Sequence, residues 1–360
     1  MSARSLHQLL AGYSPGDAIS NEARWIRAAA RRRGLKSEIY CERRRTAPEY
    51  RSDAHDVDDA LGEIGPQDAV LLHLSIGSPA NELVCRLRTD RRALLYHNIT
   101  PPEWFAGVRP GMAALLAQGI EQARALVGQV AVLLADSSFN ARELETLGHR
   151  GVHVFQLALD FSLIRTPPDP ARVREWSDGR LNVLFVGRGV PNKRIEDLLA
   201  TFYYLQRYVE KRSRLLHIGS YAGCERYLTL LRARAREWRL EAVEFPGPVS
   251  QAQLSAAYRT ATVFLCLSEH EGFCVPLVEA MAHDVPVIAY AAGAVPETLG
   301  TAGVLVRQKR WDLLAELIHR IAHDRALRDA ILARQRARLA ELERRQPETE
   351  LWNLLAPILE

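Results

Sequence analysis

Residues 268–281 read SEHEGFCVPLVEAM and place two carboxylates around the start of a predicted helix. An apolar run at 263–267 leads into a short acidic loop, and the helical pattern begins at Pro276. The first N–H groups of a helix have no acceptor within it, and its dipole is positive at that end, so an anion is favoured there. Glu271 in the loop and Glu279 in the helix are left to accept hydrogen bonds from hydroxyl groups. The segment therefore predicts a site for a phosphorylated, hydroxyl-rich ligand.

A second set of candidate residues lies in the loop that follows the apolar run 181–186. The loop contains two glycines and two cations: Gly187, Gly189, Arg188 and Lys193. The glycines let the backbone come close to a ligand, and the cations would neutralise a diphosphate. A third glycine, which the dinucleotide-binding pattern requires, is missing where Asn192 stands. The alternative interpretation is that the cations pair with local carboxylates such as Glu196.

The elements that must position these residues are short apolar runs alternating with amphipathic segments. In the first half, strands are predicted at 5–11, 36–40, 69–74, 93–97, 130–135 and 152–157, with helices at 18–33, 112–127 and 140–147. In the second half, strands are predicted at 181–186, 215–218, 243–245, 263–267, 285–289 and 304–306, with helices at 195–209, 224–238, 253–260, 276–283 and 311–322. This alternation predicts an α/β protein with parallel sheets covered by helices on both faces. Ligands bind such sheets at the carboxyl ends of their strands.

A chain of 360 residues exceeds the usual size of a single hydrophobic core, so we expect two domains. We predict an N-terminal domain over 1–165, a linker over 166–179 and a second domain over 180–345. The linker is inferred from the three prolines within 167–170, which disfavour both a helix and a central strand. A C-terminal helix within 346–360 is expected to pack back on the first domain.

The composition is that of an ordinary globular protein, with 48% hydrophobic and 25% charged residues. The net charge of +4 is too small to indicate a nucleic-acid partner, and no interleaved aromatic residues accompany the arginines. The five cysteines have no paired spacing, which suits a reducing compartment and argues against a disulfide framework or a zinc site. Without a signal-like start or a bilayer-length apolar stretch, the protein is expected to be cytoplasmic.

Basic residues crowd one N-terminal stretch. They are Arg24, Arg27, Arg31, Arg32, Arg33, Lys36, Arg43, Arg44 and Arg45. Such a cluster could attract an anionic acceptor, or anionic lipid head groups at the inner face of a membrane. A solvated helix face and loop is the alternative interpretation.

Taken together, these motifs resemble the signature of retaining GT-B glycosyltransferases, specifically glycosyltransferase family 4. The resemblance rests on Arg188 and Lys193, on Glu271 and Glu279 with seven residues between them, and on GAVPE at 293–297. In the first half it is looser: GDAI at 16–19 is similar to the family's glycine loop, and YHNITP at 96–101 to its histidine-bearing loop. The resemblance implies two doubly wound Rossmann-like domains facing each other across a cleft. The first would bind the acceptor and the second the nucleotide sugar.

The resemblance also implies a role for each matching residue of the second domain. Arg188 and Lys193, with Gly187 beside them, would hold the donor's diphosphate and stabilise the charge that develops as it leaves. Glu271 would bind sugar hydroxyls, and Glu279 would accept hydrogen bonds from the ribose. The loop residues expected to support donor binding are Gly272, Phe273, Cys274 and Val275.

Three further residues complete the expected site. Gly16 would let the first domain's loop approach the phosphate, His97 would lie near the transferred sugar and the acceptor hydroxyl, and Val249 would lie near the base. Within the family pattern Cys274 stands where a glycine is usual, so we expect it either to restrict that loop or to narrow the sugar pocket.

The implied reaction is retaining transfer of a hexose from a GDP- or UDP-sugar to a glycan, glycolipid or other glycoconjugate in cell-envelope or exopolysaccharide biosynthesis. No cofactor or metal is expected, because the cations Arg188 and Lys193 would replace a metal at the diphosphate. Two alternatives remain open at this stage. One is a phosphorylase or nucleotide-sugar epimerase with the same fold, and the other is a non-catalytic partner subunit of a transferase.

Overall fold

The computed structural model describes residues 3–360 and divides into two compact units, each built on one parallel sheet. The first unit contains residues 3–106, 110–159 and 346–360, and the second contains 107–109 and 160–345. Parallel sheets with helical connections are the architecture that the alternating pattern predicts.

The sheet of the first unit has seven strands in the order β3-β2-β1-β4-β5-β6-β7. The strands are β1 Leu6–Leu10, β2 Ile39–Cys41, β3 His55–Asp56, β4 Ala69–Leu74, β5 Arg92–Tyr96, β6 Val132–Ala135 and β7 Val152–Val154. The first six helices are α1 Ala18–Arg32, α2 Ala60–Glu63, α3 Pro79–Leu83, α4 Glu103–Ala106, α5 Pro110–Ala125 and α6 Ser138–Thr146. The edge strand β3 was not predicted, because two polar residues form no apolar run.

The central strands could be predicted from the sequence because they are buried along their whole length. All five residues of β1 and all six of β4 are buried, as expected where helices cover both faces of a parallel sheet. Helix α1 follows β1 and is capped by Asp17, whose carboxylate accepts a hydrogen bond from the Ser20 N–H at 2.9 Å. Asp17 thus has a structural role at the start of α1, next to Gly16.

The sheet of the second unit has six strands in the order β10-β9-β8-β11-β12-β13. The strands are β8 Leu181–Val186, β9 Ser213–Ile218, β10 Val243–Gly247, β11 Val263–Cys266, β12 Val287–Tyr290 and β13 Val304–Val306. The helices are α7 Phe161–Ile164, α8 Pro170–Trp176, α9 Ile195–Tyr204, α10 Glu225–Glu237, α11 Gln251–Thr260, α12 Val275–Ala282, α13 Val295–Leu299, α14 Trp311–His323 and α15 Arg325–Glu343. All six predicted strands are present, with bounds that differ by at most two residues at either end.

The prediction of a linker over 166–179 is wrong for much of that segment. Pro170 begins helix α8, and Asp169 caps it by accepting from the next backbone N–H groups. Trp176, at the end of α8, is buried, and its indole N–H donates to Glu244 at 3.2 Å. Proline is well tolerated in the first turn of a helix, so its presence marks the start of α8 rather than a break.

The last helix, α16 Pro347–Leu359, belongs to the first unit. Leu351, Leu355 and Ile358 are buried in the same apolar cluster as Ile26 of α1. The backbone N–H of Ala3 donates to the Leu359 carbonyl at 2.7 Å, which ties this helix to the start of the described chain. Among residues 3–360, no helix is both long enough and apolar enough to span a bilayer.

Candidate functional site

The candidate site lies at the carboxyl edge of the second unit's sheet, where the strand order changes direction. From β8 the chain proceeds to β9 and β10 on one side, whereas β11, β12 and β13 lie on the other. The loops after β8 and β11 therefore diverge at a topological switch point, which is where open α/β sheets bind ligands.

Lys193 and Glu271 form an ion pair that joins these two loops. Lys193 Nζ lies 2.6 Å from Glu271 Oε2, and the two side chains are 19% and 6% exposed. Burial opposes the charge of Lys193, but the neighbouring Glu271 outweighs it, so the pKa of the lysine is raised. The second carboxylate oxygen, Glu271 Oε1, is shielded from solvent and has no hydrogen-bond partner in residues 3–360. A buried carboxylate oxygen without a donor is a ready acceptor for a ligand hydroxyl.

Two hydrogen bonds hold the loop of Lys193 and the acidic loop together. The Asn192 side-chain amide donates to the His270 carbonyl at 3.1 Å, and the Glu269 N–H donates to the Asn192 carbonyl at 2.8 Å. Asn192 is buried, so the residue that breaks the dinucleotide glycine pattern instead fastens the Lys193 loop to the acidic loop.

Two glycines are required for this close packing. A Cβ at Gly189 would lie 2.0 Å from the Tyr221 ring, and a Cβ at Gly293 would lie 2.4 Å from the Glu271 carbonyl oxygen. Gly293 also has a φ of +55°, and the next residue, Ala294, donates its N–H to the same carbonyl. The loop after β12 thus packs directly against the backbone of Glu271.

A second group of charged side chains, which the sequence analysis missed, supports the acidic loop. Lys309 Nζ lies 2.6 Å from Glu269 and 2.9 Å from Asp197, and Arg194 contacts the same two carboxylates at 3.4 and 3.0 Å. Lys309 follows β13, so its place after a strand of this sheet was the available signal. These cations neutralise Glu269, which leaves Glu271 as the acidic-loop carboxylate that faces Lys193.

Arg188 differs from Lys193 in having no internal partner. Its side chain is exposed, and no carboxylate of residues 3–360 lies within ion-pair distance of it. Glu196, the alternative partner considered above, pairs with Arg194 at 2.8 Å instead. Arg188 therefore keeps its charge available for an anionic ligand.

The start of helix α12 has an unusual backbone. Cys274, just before the helix, has a φ of 74° and a buried side chain. Next to it Phe273 is fixed by the Thr298 hydroxyl, which donates to its carbonyl at 2.5 Å. Gly272 and Val275 flank this pair, so the N–H groups at the helix start lie directly after Glu271 in the chain.

Glu279 and Val249 lie on neighbouring segments of the same unit. Glu279 is in α12, and the Tyr258 hydroxyl donates to its carboxylate at 2.7 Å. Burial raises the pKa of Glu279. Val249 is half-buried in the turn between β10 and α11. Gly187, directly after β8, donates its N–H to the Ile218 carbonyl at 2.9 Å.

The remaining two predicted residues belong to the first unit. Gly16 has a φ of 71° in the turn between β1 and α1. His97 follows β5 and is buried, with a side chain that is 1% exposed. Its Nδ1 lies 2.9 Å from Asp136, and its Nε2 lies 2.7 Å from Nδ1 of His73.

These contacts extend into a buried chain of hydrogen bonds across four adjacent strands. His73 Nε2 lies 2.9 Å from the side-chain oxygen Oε1 of Gln8, and the Gln8 side-chain amide donates onward to the Ala23 carbonyl. Burial opposes the charge of His97, but Asp136 raises its pKa, whereas burial and then His97 hold the pKa of His73 well below its usual value. A charged His97 therefore donates a hydrogen bond from both ring nitrogens. A neutral His73 accepts one of these at Nδ1 and donates another from Nε2 to the Gln8 side chain. With both nitrogens engaged, neither is free to contact a sugar in this arrangement, and the expected position of His97 near the transferred sugar stays a prediction.

We predict that His97→Ala lowers the free energy of unfolding by about 3–5 kcal/mol, because it removes the partner of the buried Asp136 carboxyl, whose pKa is raised by burial. Urea unfolding measures this cost. His153→Ala, which removes an exposed histidine of the same unit, should change stability by less than about 0.5 kcal/mol. Equal small effects of the two substitutions would contradict the buried chain.

Two substitutions of Cys274 separate its backbone from its side chain. Both Cys274→Ala and Cys274→Gly remove the thiol, but only glycine adopts the positive φ without a Cβ penalty. Since glycine also costs conformational entropy, we expect Cys274→Gly to be more stable than Cys274→Ala by roughly 0.5–1 kcal/mol in urea unfolding. A more stable alanine variant would contradict the left-handed backbone at this position.

Comparison with known proteins finds similarity over the segment that holds the site. Residues 171–338 match the family model described as glycosyl transferases group 1. The chain is 36% identical over 172 residues to the GDP-mannose-dependent alpha-mannosyltransferase of Mycolicibacterium smegmatis, covering 45% of this chain and 41% of that protein. It is 29% identical over 151 residues to the O-antigen chain mannosyltransferase B of Escherichia coli, covering 42% and 39%. The chain thus spans about two-fifths of the length of these relatives.

Solved structures match over almost the whole chain. HepE of Anabaena in complex with UDP and glucose has a TM-score of 0.71 and 18% identity, covering 98% of this chain and 100% of that one. Sucrose-phosphate synthase from Thermosynechococcus elongatus has a TM-score of 0.74 and 18% identity, covering 99% of both chains. At this level of identity the likeness concerns the fold alone. The chain has the GT-B fold predicted from its sequence, and the segment that holds Lys193 and Glu271 is the one that matches the glycosyl transferases of group 1.

Proposed function

We propose that this protein is a retaining hexosyltransferase that moves a hexose from a nucleotide-diphosphate sugar to a glycan, glycolipid or other glycoconjugate. The observation that carries the proposal is the buried pair of Lys193 and Glu271 at the switch point between β8 and β11. A lysine there can meet the diphosphate, while the open oxygen of Glu271 can accept a sugar hydroxyl. The match of residues 171–338 to group 1 glycosyl transferases supports the same reading.

In the proposed reaction the bond between the anomeric carbon and the diphosphate oxygen breaks, and the acceptor oxygen bonds to that carbon on the same face. The acceptor proton passes to the departing phosphate. Arg188 and Lys193 stabilise the negative charge that develops on the leaving group, which is electrostatic preorganisation. Glu271 holds the sugar and Glu279 the ribose, so that positioning supplies much of the remaining rate. The two cations fill the role that a metal would have at the diphosphate.

The relatives suggest which donor to test first. Two of them are described as GDP-mannose-dependent alpha-mannosyltransferases, and each matches 45% of this chain. We therefore propose GDP-mannose as the first candidate donor, with UDP-hexoses as the second. The proposed setting is cell-envelope or exopolysaccharide biosynthesis in the cytoplasm.

A panel of nucleotide sugars tests the proposal directly. GDP-mannose, GDP-fucose, UDP-glucose and UDP-galactose are each added to the full chain, and thermal stabilisation and release of the nucleoside diphosphate are measured. We expect one donor to raise the melting temperature and to be hydrolysed slowly. Sugar release only with inorganic phosphate would favour a phosphorylase, and binding without any turnover in the presence of glycan acceptors would favour a non-catalytic subunit.

We predict that Lys193→Ala lowers turnover of that donor by roughly 10²–10³-fold, because it removes a preorganised positive charge from the leaving group. Lys211→Ala, which removes an exposed lysine of the same unit, is the matched control and should leave turnover unchanged. Near-normal turnover by the Lys193 variant would overturn its assigned role.

Peripheral contact with the inner face of a membrane is a separate part of the proposal. Several of the N-terminal arginines pair with carboxylates of their own unit: Arg27 with Asp53, Arg31 with Glu38, Arg32 with Glu348, and Arg44 and Arg45 with Glu42. Less charge is therefore available to lipid than the sequence suggests, and we assign the contact to the exposed Arg33, Lys36 and Arg43. Sedimentation with anionic vesicles tests this assignment, and binding that survives charge reversal of all three would remove it.

A further inference from the structure

Three metal-ligand side chains meet in the second unit, at the edge of the sheet opposite the candidate donor site. Glu210 follows the helical segment that begins with α9, and His319 and His323 lie in the last turns of α14. Both helical segments begin after the carboxyl end of a strand, so both end at the other edge of the sheet. Nothing in the proposed transferase chemistry uses this cluster.

The geometry of the cluster brings the three ligand atoms together. His319 and His323 are four residues apart on one helix, which places them on the same face, and their ring centroids are 4.3 Å apart. Glu210 Oε2 lies 3.3 Å from His323 Nε2 and 3.8 Å from His319 Nδ1. All three ligand atoms lie within 4.8 Å of one another.

Within the part of the chain that the structure describes, the Nδ1 atom of His319 lacks a favourable partner. His319 Nδ1 is shielded from solvent, and no group within residues 3–360 forms a hydrogen bond with it. If it carries a proton, that donor is unsatisfied at 3.8 Å from the carboxylate, and if it does not, its lone pair faces a negative oxygen. A cation between the two side chains would resolve either case. The His323 side chain is 58% exposed, which provides access from solvent.

We propose that Glu210, His319 and His323 bind a zinc ion. Two imidazole nitrogens and one carboxylate oxygen form a ligand set that suits Zn²⁺. A tetrahedral centre with bonds of roughly 2.0–2.2 Å keeps its ligands about 3.3–3.6 Å apart. The observed separations of 3.3 and 3.8 Å from the carboxylate oxygen need only small side-chain shifts to reach that geometry. A water molecule would take the fourth position, which the exposed side chain of His323 leaves accessible.

Two other groups of ligand-type side chains among residues 3–360 lie equally close and do not fit a metal. In the group with Glu22, the two histidine nitrogens of His73 and His97 are 2.7 Å apart and share a hydrogen bond. In the group with two cysteines, the carboxylate of Glu271 already has the Lys193 ammonium at 2.6 Å. At Glu210 the hydrogen bond shared with His323 is longer, at 3.3 Å, and no lysine of residues 3–360 is ion-paired with the carboxylate.

The bound ion would act as a clamp rather than as a catalyst. It would join the end of the α9 segment to the end of α14, two elements whose ligands are up to 113 residues apart in sequence. The proposal departs from the expectation, made from the sequence, that no metal binds.

The experiment uses the full chain, without a histidine tag and after treatment with a chelator. Zinc chloride is titrated into it by calorimetry, and the melting temperature is measured with and without zinc. We expect uptake of one zinc ion per chain and a rise in melting temperature. His319→Gln, His323→Gln and Glu210→Gln should each weaken zinc binding by at least about tenfold. His153→Gln, which removes an exposed histidine from the other unit, should bind zinc like the unmodified chain.

Several results would overturn the proposal. One is that the chain fails to take up one equivalent of zinc at zinc concentrations of tens of micromolar. Another is that the three ligand variants bind zinc with the same affinity as His153→Gln. Uptake of one zinc ion per two chains would mean a site completed by a second copy, which contradicts the clamp. Circular dichroism of the metal-free variants shows whether each one is folded, so a folding defect cannot be mistaken for a lost ligand.

Discussion

The ion pair between Lys193 and Glu271 is the interaction on which the rest of the candidate site depends. Withdrawing charges from water costs several kcal/mol per ion, so such a pair persists only where the surrounding structure fixes it. Here the pair stands between loops that diverge from β8 and β11, and one carboxylate oxygen remains without a donor. The ligand that stabilises this arrangement most is one that donates a hydroxyl hydrogen bond to that oxygen and places negative charge next to the lysine. A nucleotide-diphosphate sugar has both groups.

The surrounding residues hold that pair in place. Asn192 fastens one loop to the other, and Gly293 lets the loop after β12 pack against the Glu271 backbone. Lys309 satisfies the neighbouring Glu269, which keeps that carboxylate from competing for Lys193. Each of these contacts joins a loop at the carboxyl edge of the same sheet. Arg188 is different, since it is exposed and no carboxylate of residues 3–360 pairs with it, so its charge is available to a ligand.

Much of this could be predicted from the sequence, because it depends on local patterns. Buried parallel strands are continuous apolar runs, and loops after neighbouring strands share an edge, so the proximity of Lys193 and Glu271 followed from the topology. The burial of His97 did not, because it depends on side chains from four strands that meet only in the folded sheet. The helix at Pro170 was mistaken for a linker because proline both begins and interrupts helices. The cluster around Glu210 joins residues more than a hundred positions apart, and no sequence pattern connects them.

The proposed division of roles is that Glu271 binds the sugar while the cations bind the diphosphate. Calorimetric binding of GDP and GDP-mannose, and of UDP and UDP-glucose, to the unmodified chain and to Glu271→Gln separates these two roles. We expect Glu271→Gln to bind the nucleoside diphosphate as well as the unmodified chain or better, since Lys193 is released from its partner. We also expect the variant to bind the matching nucleotide sugar at least about tenfold more weakly, a loss of about 1.4 kcal/mol or more. Unchanged affinity for every nucleotide sugar that the unmodified chain binds, or an equal loss for diphosphate and sugar nucleotide, would contradict this division of roles.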